Sequence, residues 1–256
     1  IRTVYAFLDI KPVREKAVNL TFWIMNICIP IYFASHFFAD ENVVAYRLSQ
    51  AVAFPIGFAL LTFVFGLRVF ERSTKELQDV VMDRSYAKTI RTAYLWLIVT
   101  AGILVVMPFL EDGSEIQQRF HGSLNHALTV GFITMMIIGY ASKMIPTFKG
   151  INMHSIRLSN ITFILLNTGC FLRVFSQIMV GVNGKTIFYV TMGTSGWFEL
   201  AALSLFGYNL WKTMNFVQET KPPVASQAPA TVKLTEVNKE TKVFDVVDQY
   251  PDTLQI

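Results

Sequence analysis

Charge is scarce in this chain: Asp, Glu, Lys and Arg make up 16% of its 256 residues, where a soluble domain carries about a quarter. That shortage excludes an ordinary cytosolic fold, a disordered chain and a nucleic-acid-binding protein. Cysteine is nearly absent. Cys28 and Cys170 both lie in apolar runs without CxxC spacing, so they read as small buried hydrophobes and not as a disulfide or metal pair. What is abundant is oil. Hydrophobic residues reach 53%, the 22 phenylalanines outnumber the 18 acidic residues, and ten methionines add soft apolar volume. Mean hydropathy is +0.44. This is the composition of a membrane protein.

A spanning helix needs roughly 20 apolar residues with few or no charges. Six stretches qualify, approximately 17–38, 51–70, 92–110, 122–142, 158–182 and 186–211. Basic residues sort their ends. Arg2, Lys11, Arg14 and Lys16 precede the first span, and Arg68, Arg72, Lys75, Arg84, Lys88 and Arg91 follow the second. Lys143, Lys149 and Arg157 follow the fourth, and Lys212 follows the last. The alternate loops hold Arg47, Arg119 and Lys185 beside Asp40, Glu41, Glu111, Asp112 and Glu115. The expected fold is therefore an all-α polytopic bundle of six transmembrane helices with both termini cytoplasmic. The apolar run after Lys16 is too long for a signal peptide and lacks a cleavage signature, and the start at Ile1 reads as a fragment or a processed form.

Three regions are expected. Residues 1–215 form the transmembrane domain. Residues 216–234, with Lys221-Pro222-Pro223 and Pro229-Ala230, form a flexible linker. Residues 235–256 begin a small soluble helical domain, with Val243, Val246 and Val247 at helical spacing.

Four histidines carry the chemistry. His154 falls in a basic cytoplasmic loop and reads as a solvated residue. His36, His121 and His126 share the outer face, at the end of the first span and the start of the fourth. Imidazole is the usual intramembrane ligand of haem iron and a common ligand of copper. At 1.5 Å per residue His36 and His126 come within roughly 10 Å of the outer surface. His121 and His126 are five positions apart, which on a regular helix points them about 140° apart and discourages a shared metal. Each also has a plain reading as an amphipathic residue near an interface. His126 resists that reading most, because it opens an uncharged run and intramembrane ionisable residues default to function.

The segment Asn125–Gly150, NHALTVGFITMMIIGYASKMIPTFKG, resembles the NnrS family of haem- and copper-binding membrane proteins linked to nitric oxide tolerance. His126-Ala127-Leu128-Thr129 and Gly131 match its helix opening, Lys143 takes the place of its basic residue, and Gly150 fits the last glycine of its turn. Thr147, Phe148 and Lys149 replace the Gly-His-Thr of that turn. The segment is also similar to the tenth helix of haem-copper oxidase and nitric oxide reductase catalytic subunits. Aligning Gly131, Gly139 and Pro146 puts His126 on the ligand of the low-spin haem, and Leu124 on the histidine of the oxygen-reactive haem. The six spans would then correspond to the last six of twelve, with the second axial ligand coming from His36 or from another chain. Residues 242–256 also resemble the opening of a small helical domain that accompanies redox and iron–sulfur repair proteins.

Two charges lie inside spans. Arg173 needs a partner, because a charge at helix centre costs roughly 2.5–3.5 kcal/mol on insertion scales. Three candidates are open: a haem propionate, Glu199 or another protein group, and snorkelling to the headgroups. Glu199 is nearly central in the sixth span and reads as a hydrogen-bonding group, an Arg173 partner or a member of a proton relay. Asn19, Asn26, Asn167 and Gln177 read as interhelical glue, and Met135 and Met136 as packing.

The resemblance implies a bacterial inner-membrane protein that binds b-type haem, with copper as the alternative metal. His126 and His36 would supply axial nitrogens, Arg173 would offset the propionates, and His121 is a third candidate metal ligand. No catalytic residues are expected, because the paired histidines of a binuclear centre are missing. The chain would act in one-electron transfer or nitric oxide handling, beside other membrane or redox subunits. Two rivals stand: a haem-free anchor or structural subunit of a redox complex, and a reductase subunit completed by absent residues.

Overall fold

The computed structural model describes residues 14–38, 42–71, 80–110 and 115–215. All lie in the first of two compact units, Ile1–Phe216; the second unit is Val217–Ile256. The expected linker at 216–234 and helical domain at 235–256 fall outside the described residues, as do Arg2, Lys11, Asp40, Glu41, Arg72, Lys75, Glu111 and Asp112.

Every regular element among the described residues is helical. In chain order these are α1 (Glu15–Phe37), α2 (Val43–Gly66), α3 (Val80–Val106) with a 3₁₀ turn at Met107–Phe109, and α4 (Glu115–His126). A π-helical segment, Ala127–Thr134, joins α4 to α5 (Met135–Lys149). The last two are α6 (Ile156–Asn183) and α7 (Thr186–Asn215).

Local chemistry sets the ends. The Asn42 side chain accepts a hydrogen bond from the Val44 N–H at 2.8 Å, so α2 begins well before the apolar run that marks its core. Ser155 caps α6 in the same way, accepting from Leu158 N–H. At the other ends, Gly150 and Gly184 adopt φ of +64° and +59°, the left-handed turn that stops α5 and α6 and that side chains disfavour.

Five helices are long and apolar enough to cross a membrane: Glu15–Phe37, Val43–Gly66, Ser85–Phe109, Ile116–Lys149 and Ile156–Asn183. They correspond to the first five expected spans. That is compatible with an integral membrane protein. The sixth expected span exists as the 30-residue helix α7 but is not among them. Thr191, Thr194, Ser195 and Glu199 interrupt its apolar run.

The helices pack largely in chain order: α1 on α2, α2 on α3, α3 on the π segment and α5, α4 on α6, and α6 on α7. One core cluster joins Trp96 and Ile103 of α3 and Met107 of the 3₁₀ turn to Ala127, Met135 and Ile138, and to Leu166, Cys170 and Val174 of α6. A second gathers Val64, Leu67, Ile90, Tyr94 and Leu97 between α2 and α3. The glycine at 131 permits the closest approach: a Cβ there would lie 2.6 Å from Trp96 Cγ. The Trp96 indole N–H donates to Asn167 Oδ1 at 3.1 Å, locking α3 to α6.

The base of α7 is tied to the start of α6 by a buried amide. Asn209, fully buried, accepts from the Ser155 N–H at 3.1 Å and donates to the Ser155 carbonyl at 2.9 Å. One side chain thereby satisfies both backbone groups of the residue that caps α6.

Candidate functional site

The site is built where α4, α6 and α7 converge. His126 is the last residue of α4, immediately before the winding changes to π at Ala127. Such segments are rare and concentrate at functional sites. Its Nε2 lies 2.7 Å from Glu199 Oε1 of α7. Both side chains are largely enclosed, 22% and 15% exposed respectively, so the pair is held inside the bundle. The Cys170 thiol points at the His126 carbonyl oxygen from α6, 4.0 Å away.

The position of Glu199 is fixed by a glycine. A Cβ at Gly169 of α6 would come within 2.8 Å of Glu199 Cγ and 3.1 Å of the Ser195 carbonyl oxygen. Only the missing side chain lets α7 lie this close, and closeness aims the carboxylate across α6 toward the imidazole. One turn before Glu199, Ser195 donates to the Met192 carbonyl at 2.7 Å. Arg173 Nη1 donates to the same oxygen at 2.9 Å.

The structure sorts the expected site residues into two pairs. His36 is exposed near the end of α1; its ring is stacked on Tyr32 with centroids 5.9 Å apart. The same ring lies 6.3 Å from that of His121, inclined by 39°. His126 is engaged with Glu199. His36 is thus brought to His121 and His126 to a carboxylate. Among the described residues no group of three or more His, Cys, Asp or Glu side chains could hold a metal ion.

Of the partners open to Arg173, Glu199 is taken by His126, and the guanidinium instead reaches a backbone carbonyl. Its Nε is buried without a hydrogen-bond partner. His154 is exposed in the connection between α5 and α6. The Asn167 amide acts between helices as read, receiving the Trp96 N–H. Asn26 instead bonds within α1, its Nδ2 donating to the Phe22 carbonyl at 2.8 Å.

Two features escaped the sequence: the His126–Glu199 bond, and Ser176 joining Arg173 and Gln177 on one polar face of α6. Spacing along the chain carried a weak signal for the second, since 173, 176 and 177 share one helical face. It carried none for the first, which joins residues 73 positions apart.

A helical bundle with several membrane-length helices and an enclosed His–Glu pair defines the class. Residues 28–210 match the model of a domain of unknown function, DUF8744, and the chain belongs to that family. No curated protein matches it.

Proposed function

We propose that the chain is a six-span integral membrane subunit of a redox assembly, with both termini cytoplasmic, whose working centre is the His126–Glu199 pair. Basic residues at 14–16, 84–91, 143–157 and 212 favour that orientation. A single observation carries the centre: an imidazole nitrogen and a carboxylate oxygen 2.7 Å apart, enclosed among apolar helices. Ionisable groups placed there recur in proton relays. In this reading the pair holds one proton between Nε2 and Oε1 and passes it along the α4–α7 interface. The redox setting rests on the likeness of Asn125–Gly150 to haem-protein helices.

Haem ligation through His126 Nε2 would compete with this arrangement. A histidine that ligates a metal gives one ring nitrogen to the metal and the other to an outer partner. Here Nε2 is held by Glu199, and Glu199 is pressed against Gly169 of α6. A macrocycle at Nε2 would have to displace the carboxylate and part α6 from α7. The electron-transfer reading therefore stands second, favoured by Arg173, which has no carboxylate partner among the described residues, as well as by the resemblance.

Two measurements separate these readings. Infrared difference spectra of the full chain in lipid should show a carboxyl band that disappears in Glu199→Gln and shifts in His126→Gln. A band indifferent to His126 would defeat the paired-proton reading. A pyridine haemochrome assay on the same material decides the second: stoichiometric haem, lost in His126→Ala, would establish it in place of the first.

A further inference from the structure

Among the five helices of membrane length, α1 is the least enclosed. Of its 23 residues only Thr21 and Ser35 are buried. It packs on α2 and uses one face to do so. Thr21 Oγ1 donates to the Ala59 carbonyl at 3.2 Å, and Met25, Cys28 and Tyr32 lie against the cluster of Val52, Ala53 and Ile56. A second face carries Asn19, Trp23, Asn26, Pro30, Phe33 and Phe37, every one of them exposed. Successive members are alternately four and three positions apart. That is the 3.5-residue repeat of a seam between two helices wound around each other.

Asn26 stands at the midpoint of this helix, roughly 16 Å from either end at 1.5 Å per residue. Its Nδ2 donates to the Phe22 carbonyl at 2.8 Å. This engages one of the amide's two N–H groups and leaves Oδ1 without a donor among the described residues. Pro30, four positions on, has no N–H, so the Asn26 carbonyl is also deprived of its regular helical donor. A spare donor and two acceptors therefore meet on an exposed face at mid-span. Hydrocarbon offers such groups nothing, whereas membrane helices associate through interhelical amide bonds of this kind.

We propose that the Asn19–Phe37 face of α1 is the interface of a homodimer, in which Asn26 pairs with the same residue of a second copy. Copies of one chain cross the bilayer in one direction, so a two-fold axis along the membrane normal sets their α1 helices parallel. An interface of that symmetry uses the same patch twice, and a parallel seam brings each position to its own counterpart at equal depth. A carboxamide is both donor and acceptor, so it complements itself there. A different subunit would have to present a polar group of its own at that depth, and a lipid chain has none. The dimer presupposes the bilayer span proposed above for α1 and is independent of proton sharing at His126–Glu199.

The test uses the full chain in lipid vesicles, as two populations carrying donor and acceptor dyes on a C-terminal tag. Energy transfer should fall along a monomer–dimer curve as lipid dilutes the protein. Asn26→Leu places an apolar side chain on an exposed face and asks nothing new of the fold. It should raise the dissociation constant about 3- to 30-fold. Leu20→Ala, exposed on another side of α1, should leave that constant unchanged. Release of the chain by alkaline carbonate would refute the span, and the interface with it. A chain retained in the membrane but monomeric at every dilution overturns the dimer alone and leaves the face to lipid or to another subunit. A dimer as tight in Asn26→Leu as in the wild type, or one weakened equally by Leu20→Ala, also overturns it.

Discussion

Gly169 of α6 and Glu199 of α7 approach so closely that a methyl group on the glycine would sit 2.8 Å from the glutamate Cγ. The carboxylate that meets His126 is therefore positioned from behind by an absent side chain. Gly169→Ala should push α7 outward and lengthen the His126–Glu199 bond. Overpacking of this kind costs about 1–3 kcal/mol, because the Ser195 carbonyl and the Glu199 N–H also crowd the site at 3.1 and 3.2 Å. Thermal unfolding in detergent reads the loss, and the infrared carboxyl band should move with it.

The pair itself should behave as a coupled unit. Removing Glu199 alone leaves an enclosed imidazole nitrogen unmatched, a penalty of about 1–3 kcal/mol. The double variant His126→Ala/Glu199→Ala should then lose less than the sum of the two single variants. Strict additivity in that double-mutant cycle would deny the bond an energetic role.

Two glycines of the segment after His126 offer a contrast. An alanine at 131 meets three atoms of the Trp96 side chain within 2.8 Å, one of them its Cβ. An alanine at 139 meets chiefly the terminal Cδ1 of Ile90, at 2.7 Å. The Ile90 tip can rotate, whereas the indole is pinned by Asn167. Gly131→Ala should be the more destabilising, by about 1–3 kcal/mol, and Gly139→Ala should lower the midpoint visibly less.

Asn209→Leu fills the same space but makes no hydrogen bonds. The Ser155 N–H would lose its partner and the carbonyl would keep only the 3.3 Å bond from the Ser159 N–H, at about 1–3 kcal/mol for the donor left unmade. Hydrogen exchange should show the first turn of α6 opening, while the far end near Asn183 stays protected. Uniform loss of protection along α6 would contradict a local role.

Helix existence was plain in the amino-acid pattern because uncharged apolar runs of this length have few alternatives. Helix limits were less so. The run beginning at Ala51 is extended back to Val43 by the Asn42 cap, and the fourth run is one winding from Glu115 to Lys149 with a π segment inside it. No residue preference announces π winding, so Ala127–Thr134 could not be read in advance. His126, Glu199 and Arg173 were all singled out, because ionisable groups stand out against oil. Their pairing was not legible. An arginine is the more obvious mate for a buried glutamate, and only the proximity of α6 and α7 at Gly169 decides that the imidazole takes it. Asn209 escaped notice because it lies near the polar end of α7, where an amide in sequence looks no different from one in water.

The wider winding of Ala127–Thr134 works like a slipped tooth in a gear train. Above it, the rod is phased so that an imidazole meets its carboxylate; below it, the same rod is phased so that Gly139 meshes with Ile90. Deleting one residue from the detour would restore ordinary winding, and the two ends could no longer both be in mesh.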